Sequence, residues 1–175
     1  YAAAYYGHAD HLKCMVKYGY TLDAEIYTIG AERGHLNIIK LAIEFKCPYD
    51  PNTLRYAIRA NTYSAYHCFA YLCDNTKKLV YINLSKYEDP DMNAHSLCEY
   101  SALSGNLICL RFAVHLGHKL TAFTSAAAAK CGSMKCLTYF FQECSKHNCT
   151  WDSQTCEQAA MNGNFNCLVF AHSNG

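Results

Sequence analysis

The sequence has little charge, no long apolar run and no sign of a targeting segment. Charged side chains make up 17% of its 175 residues, and the net charge is +1 with histidine counted as neutral. This balance gives no field that would attract a nucleic acid or an anionic membrane. No apolar stretch approaches the roughly 18 residues of a membrane-spanning helix, and no signal peptide is visible. We therefore expect neither a nucleic acid nor a membrane as partner.

Signatures of the common catalytic classes are also missing. The sequence contains no phosphate-cradling glycine loop, no His-Glu-x-x-His, no nucleophile elbow and no kinase signature. The apolar fraction is 51%, which fits a folded protein with a sizeable core. The composition thus predicts a globular protein and leaves its role to the pattern of residues along the chain.

A short motif recurs along the chain. Each copy opens on a glycine followed by a polar residue and an apolar run: Gly7, Gly34, Gly105, Gly132 and Gly163. The first two glycines are 27 residues apart, as are the next two, and a degraded copy with Ser64 in the glycine position lies in the middle. A period of this size is typical of stacked repeats. The sequence predicts an all-α solenoid of about six helix-turn-helix units, the outer ones incomplete.

Each unit is predicted to be two helices joined at the glycine, which adopts the left-handed conformation without a Cβ clash. The first helix should begin at an N-cap eleven residues earlier: Asp23, Thr121 and Asp152, with Asn93 and Ala94 at this place in the fourth copy. The residue after the glycine should cap the second helix: His8, His35, Asn106, Ser133 or Asn164.

The predicted core combines small and large residues. Small pairs precede each glycine and let helices approach closely: Ala3-Ala4, Gly30-Ala31, Ser101-Ala102, Ala128-Ala129 and Ala159-Ala160. The larger core residues come from the second helices, whose apolar positions form one face: Leu12, Ile39, Phe69, Leu110, Leu137 and Leu168.

We interpret residues 1–175 as a single repeat domain with an irregular insertion at about 74–93. The insertion would extend a helix, form a short strand or be a loop. The sequence begins with Tyr1 rather than Met, and neither end has a polar capping repeat. We therefore expect an excerpt or processed piece of a longer array, or a partner that covers the ends.

These residues together resemble the ankyrin repeat family. The resemblance rests on Gly-His followed by Leu-Lys, the Ala-Ala pair of the first helix and the two-helix unit. The turns Cys47-Pro48-Tyr49-Asp50 and Cys149-Thr150-Trp151-Asp152 resemble a divergent branch common in giant DNA viruses of amoebae and in some protists. The unit is shorter than the family's 33 residues and lacks the Thr-Pro-Leu-His opening, so the β-hairpin fingers should be short or missing. The resemblance implies a non-catalytic protein-binding scaffold.

The 12 cysteines raise the question of a metal site. Eight of them recur at three repeat positions, where cysteine acts as a small apolar residue. Equivalent positions in neighbouring repeats should lie ~8–10 Å apart, beyond the ~7 Å limit for a disulfide, so a reducing compartment is expected. The alternatives are zinc at Cys131/Cys136 or Cys144/Cys149, or a disulfide across the short insertion at 142–148. We expect no metal and no cofactor.

Histidine at the start of the chain could also suggest a site. His8, Asp10 and His11 lie close in sequence. His8 follows the first glycine, however, and His11 occupies a position that later repeats fill with cysteine, so repeat packing accounts for both. We expect no enzymatic activity.

The ankyrin resemblance implies that first helices line the concave, partner-binding side. Outward positions on these helices are Glu25, Thr28, Glu32, Asn52, Arg55, Arg59, Glu99, Tyr100, Leu103, Phe123, Ala127, Lys130, Gln154, Gln158 and Met161. Their mixed charge suits a protein partner, although ordinary solvated positions would look the same. We expect a protein-protein interaction module in a reducing intracellular compartment such as the cytoplasm. The alternative is a structural component of a larger assembly, such as a viral particle, joined through uncapped repeat ends.

Overall fold

Helices account for all the regular structure in the part of the chain that can be described. A computed structural model describes residues 1–50, 52–75, 96–147, 149 and 152–174. The predicted insertion at 74–93 lies largely outside these residues, as do Asn93, Ala94 and Trp151. Within the described ranges there is no strand, which agrees with the predicted all-α class.

The described helices form two compact units, one within Tyr1–Lys86 and the other within Tyr87–Gly175. The first unit contains α1 (Ala2–Tyr5), α2 (Ala9–Lys17), α3 (Glu25–Arg33), α4 (Leu36–Glu44), α5 (Thr53–Ala60) and α6 (Tyr63–Asn75). The second contains α7 (Leu97–Leu103), α8 (Leu107–His115), α9 (Ala122–Cys131), α10 (Met134–His147), α11 (Ser153–Met161) and α12 (Phe165–Ser173). None of these helices is long and apolar enough to cross a membrane.

The glycines lie at the corners of helical hairpins, as predicted. Gly34 ends α3 with φ +73°, and Gly132 ends α9 with φ +74°. The backbone N–H of His35 donates to Gly30 O at 2.8 Å, and that of Ser133 donates to Ala128 O at 3.0 Å. These bonds satisfy carbonyls that the end of a helix would otherwise leave free. The chain can therefore reverse tightly and lay the second helix against the first.

The degraded copy in the middle does not turn at Ser64, so that part of the repeat prediction is wrong. The corner is Asn61, with φ +49°. Asparagine tolerates this conformation because its short polar side chain bonds locally. The Thr62 hydroxyl then accepts from Ala65 N at 3.1 Å, and α6 begins at Tyr63. The second helix of this copy consequently starts earlier than the repeat predicts.

Several caps of the first helices form where the sequence places them. The Asp152 carboxylate accepts from Gln154 N at 3.0 Å, and Thr121 is the N-cap of α9. Asp23 lies one residue before the N-cap of α3 and accepts from Glu25 N at 3.1 Å. The cap of α7 was predicted at Asn93 or Ala94 and is instead Ser96, whose hydroxyl accepts from Glu99 N at 3.2 Å.

The core is built as the repeat predicts. Five of the six predicted large residues on the second helices are 0–1% exposed: Leu12, Ile39, Phe69, Leu110 and Leu137. Leu168 is half-buried. A Cβ built on Gly30 would lie 3.1 Å from Ile38 Cγ2 and Ile39 Cδ1. The small residues at this position thus allow the closest approach between the two helices of a hairpin.

Side chains also connect consecutive hairpins. Asn106 caps its own helix by accepting from Cys109 N at 3.1 Å, as predicted. Asn164, predicted to do the same, instead donates from Nδ2 to Ala129 O at 2.8 Å and to Lys130 O at 2.9 Å. Its side chain therefore satisfies carbonyls at the end of α9, the first helix of the preceding hairpin, and does not cap α12, the helix that it precedes.

Candidate interaction groove

Three first helices lie side by side in the second unit, with α9 between α7 and α11. The Thr121 hydroxyl at the start of α9 donates to Glu99 Oε1 near the start of α7, at 2.8 Å. At the other end, Cys131 Sγ donates to Ala102 O at 3.1 Å. The helices therefore run in the same direction, and their outward residues face one surface.

This surface contains a shallow groove of about 180 Å³, here called the α9 groove, lined by Leu103, Phe123, Ala126, Ala127, Lys130, Gln154 and Gln158. All but Ala126 were predicted from the sequence to project outward from the first helices. Ala126 was not among the positions predicted to project outward. The spacing of Phe123, Ala126, Ala127 and Lys130 at i, i+3, i+4 and i+7 was the signal that places it on the same helix face.

The floor of the groove is apolar and its wall carries an exposed aromatic ring. Ala126 and Ala127 expose 6% and 9% of their surface, whereas Phe123 exposes 57%. Covering this ring with a partner is favourable, because each Å² of apolar surface removed from water lowers the free energy by about 25 cal/mol. The pairing of a small-residue floor with a projecting ring suits the insertion of one apolar side chain.

The rim is polar and its side chains are uncommitted. Within the described ranges, the side chains of Lys130, Gln154 and Gln158 form no hydrogen bond or ion pair, and the hydrogen bonds of these residues involve their backbone atoms. Lys130 is exposed, and among the described residues that line the groove it is the one that carries a charge. These three residues can therefore bind polar groups of a partner without giving up an existing contact.

A buried polar network supports the groove from below. The Ser125 and Thr155 hydroxyls lie 2.8 Å apart between α9 and α11, and both residues are buried. Glu99, predicted to project outward, is 7% exposed, so that prediction is wrong. Its carboxylate turns back to accept from Ser96 N at 3.1 Å and from the Thr121 hydroxyl. Satisfied buried groups of this kind fix the spacing of the helices that carry the groove.

The remaining predicted residues lie elsewhere. Tyr100 is half-buried and does not line the groove, while Met161 is exposed beyond it. In the first unit, the predicted positions on α3 are the exposed Glu25 and Glu32 and the half-buried Thr28. Those beside and on α5 are the half-buried Asn52 and Arg55 and the exposed Arg59.

Two of their hydrogen bonds in the first unit are local. Thr28 Oγ1 donates to Glu25 O at 2.9 Å, and Arg55 Nη1 lies 3.5 Å from Asn52 Oδ1. These bonds join residues three positions apart on one helix or its first turn. They do not draw the predicted residues of α3 and α5 together.

A second groove, of about 510 Å³, was missed entirely. It lies between the second helices α8 and α10 and includes Arg111, Lys135, Tyr139 and Glu143 in its lining. The guanidinium carbon of Arg111 is 6.0 Å from the centre of the Tyr139 ring. Burial, followed by the Glu143 carboxylate, raises the pKa of Tyr139. The ankyrin resemblance implies binding by the first helices, so this face of the second helices was not predicted.

Seven of the twelve cysteines are buried, three are half-buried and two are exposed. None of the twelve is joined to another by a disulfide, and in the part of the chain that is described no three histidine, cysteine or acidic side chains are placed to hold a metal ion. The thiols of the proposed zinc pairs bond to backbone: Cys131 Sγ to Ala102 O, and Cys144 Sγ to Cys149 O at 2.6 Å. Burial raises the pKa of Cys136 to about 11 and that of Cys98 to about 12, the latter with a contribution from the Glu99 carboxylate.

These thiols predict a loss of stability in alkali. Their pKa is higher in the folded chain than the ordinary value of 9.0, so the unfolded chain loses its protons first. The contribution of these thiols to the free energy of unfolding is fully present below about pH 9 and is lost as the pH rises toward 11 or 12. Urea titrations over this range should give a decreasing free energy of unfolding, with a shallower decrease for Cys98→Ala. Equal pH slopes for the parent and Cys98→Ala would contradict the assignment.

The residues at the start of the chain form an exposed and mostly apolar surface. The rings of His8 and His11 are 5.4 Å apart, and both are exposed. They line a groove of about 740 Å³ with Tyr6, Met15 and Tyr18 among its other residues. Met15 is 37% exposed, whereas the residues eight positions after later glycines are at most 2% exposed: Ala42, Ala113, Phe140 and Ala171.

Comparison with known proteins adds no family to these observations. No protein-family model matches the chain, and no curated protein is significantly similar to it.

Proposed function

We propose that the chain is a non-catalytic protein-recognition scaffold, an ankyrin-like solenoid in its hairpin design, and that the α9 groove binds its partner. Three features support the ankyrin-like interpretation: the hairpins turn at glycines, the first helices lie in a row, and small residues stand where two helices pack closely. The observation that carries the proposal is the groove itself. It gathers Leu103, Phe123, Lys130, Gln154 and Gln158 around an apolar floor.

The chemistry of the groove favours a protein over other ligands. An exposed aromatic ring beside a small apolar pocket is typical of the hot spots of protein interfaces, where a few residues supply most of the binding energy. Two amide side chains can pair with the peptide groups of a partner. One lysine is too little positive charge for a nucleic acid backbone, whose binding depends on neutralising many phosphates.

A photoreactive amino acid in place of Gln158 tests this proposal. Irradiation in cells of the source organism should crosslink one defined protein, and the crosslink should be lost when Ala127→Leu fills the floor. The same amino acid at Lys135, which is exposed on α10 away from the groove, is the matched control and should not give that product. Thermal melting of Ala127→Leu confirms that it folds, and Phe123→Ala offers a second variant at an exposed position. A product that is insensitive to both substitutions would refute the role of the groove.

The second candidate function is a structural component of a larger assembly. It is favoured by the apolar groove beside α2, where Met15 is exposed at a position that the later repeats bury. A neighbouring helical hairpin would cover this surface in the same way as hairpins cover each other within each unit. The crosslinking experiment separates the two candidates, because an assembly contact predicts products from Tyr18 in this groove and none from Gln158.

A further inference from the structure

The dimensions of the α9 groove constrain the segment that can occupy it. Phe123 and Lys130 are seven residues apart on α9, which corresponds to ~10 Å along the helix axis. Gln154 and Gln158 are four residues apart on α11, or ~6 Å. The volume of the whole groove, about 180 Å³, is close to the ~150 Å³ of an apolar cavity that holds a benzene molecule. The α9 groove can therefore hold one side chain of about the size of leucine or phenylalanine.

The spacing of the two amides favours an extended segment over a helix. Residues i and i+2 of an extended chain are ~6.6 Å apart and point to the same side, which matches the separation of Gln154 and Gln158. An extended chain also presents free N–H and C=O groups that these amides can bond. In a helix the backbone N–H and C=O groups bond to each other, so they are not available to the amides of Gln154 and Gln158.

The charge at the groove is positive and confined to one end. Lys130 lies at the last turn of α9, and its ammonium group forms no ion pair in the described ranges. The nearest acidic residue of α7, Glu99, is turned inward and already accepts two hydrogen bonds. Ala127, on the floor, is three residues or ~4.5 Å before Lys130 along α9. A carboxylate two residues from the seated apolar side chain comes within reach of this lysine.

We propose, on the basis of the recognition function above, that the groove binds an extended segment of another protein in which an apolar anchor and an acidic residue are two positions apart. The apolar side chain rests on Ala126 and Ala127 against the Phe123 ring. The carboxylate pairs with Lys130, and Gln154 and Gln158 bond the backbone of the segment. Either chain direction satisfies these contacts, so the acidic residue stands before or after the anchor.

Synthetic peptides with a serine-glycine background test the proposal by NMR titration of the full chain, labelled at the alanine methyl groups. The probes are Leu-x-Asp and Asp-x-Leu, with Asn in place of Asp and Ala in place of Leu as comparisons. The signals of Ala126 and Ala127 should shift with the leucine peptides. Replacing leucine by alanine should weaken binding by more than about tenfold, and replacing aspartate by asparagine should weaken it by about threefold.

Charge reversal of the protein supplies the discriminating measurement. Lys130→Glu should reverse the preference, so that a Leu-x-Lys peptide binds more tightly than Leu-x-Asp. Lys135→Glu, the same change on α10, should leave the preference as it was. If aspartate and asparagine peptides bind equally, or if Lys130→Glu keeps the preference, the acidic requirement is overturned while the groove remains a recognition site. If no peptide binds but Gln158 crosslinks a partner, the extended segment is overturned and the recognition function stands.

Discussion

Gly34→Ala is expected to lower the free energy of unfolding by about 3 kcal/mol, in two parts of similar size. The first part is the conformation: Gly34 has φ +73°, which costs a residue with a Cβ ~1–2 kcal/mol. The second part is space: a Cβ there would lie 2.5 Å from Ser64 Cβ and 2.9 Å from the backbone nitrogen of Ala65. Because α6 would have to move to relieve these contacts, the loss affects two hairpins at once.

Gly19→Ala is the matched control in the same unit. Gly19 has a similar φ of +87°, but a Cβ there would meet nothing within 4 Å. The control should therefore lose ~1–2 kcal/mol from conformation alone. Urea denaturation followed by far-UV circular dichroism measures both variants. Equal losses would show that the close approach of Gly34 to Ser64 does not contribute to stability.

Phe140→Ala should have the largest effect of a single core substitution, a loss of ~3–5 kcal/mol. Phe140 is fully buried in the second unit and lies on α10. Removing its ring takes away apolar contact and leaves a cavity that the surrounding helices fill incompletely, because closely packed protein interiors relax only in part.

The neighbouring phenylalanine provides the control for this prediction. Phe141 is 40% exposed and meets Phe170 edge-to-face, with ring centres 5.8 Å apart. Phe141→Ala should cost ~1 kcal/mol, the value of such a ring pair. The two variants delete the same side chain from adjacent positions, so urea midpoints compare burial directly. A loss at Phe141 as large as that at Phe140 would contradict the assigned helix face.

The repeat period made much of the fold predictable. Glycine has few other reasons to recur before apolar runs, so Gly34 and Gly132 could be assigned to corners and the second-helix residues to the core. The cap of α7 could not be assigned in this way, because several polar residues near a helix start compete for the role. Ser96 takes it together with Glu99, a reciprocal pairing that spacing to the glycine does not reveal.

Most residues that line the groove could be predicted from the sequence, but the direction of each outward-assigned side chain could not. Helical periodicity placed Phe123 and Lys130 on the outward face, and the structure brings them together. The same periodicity placed Glu99 outward, but a flexible carboxylate in the first turn can bend back to unpaired backbone N–H groups. Side-chain direction at a helix end therefore depends on local hydrogen bonding that the period of the sequence does not encode.

The bonds from Asn164 to Ala129 and Lys130 make neighbouring hairpins energetically interdependent. Melting of α12 would withdraw the amide that holds these two carbonyls, and the final turn of α9 would fray in response. In a nearest-neighbour description of folding, such a bond is a coupling term between adjacent segments and not a property of either one. Since Lys130 belongs to that final turn, the proposed binding surface is only as rigid as the hairpin that follows it.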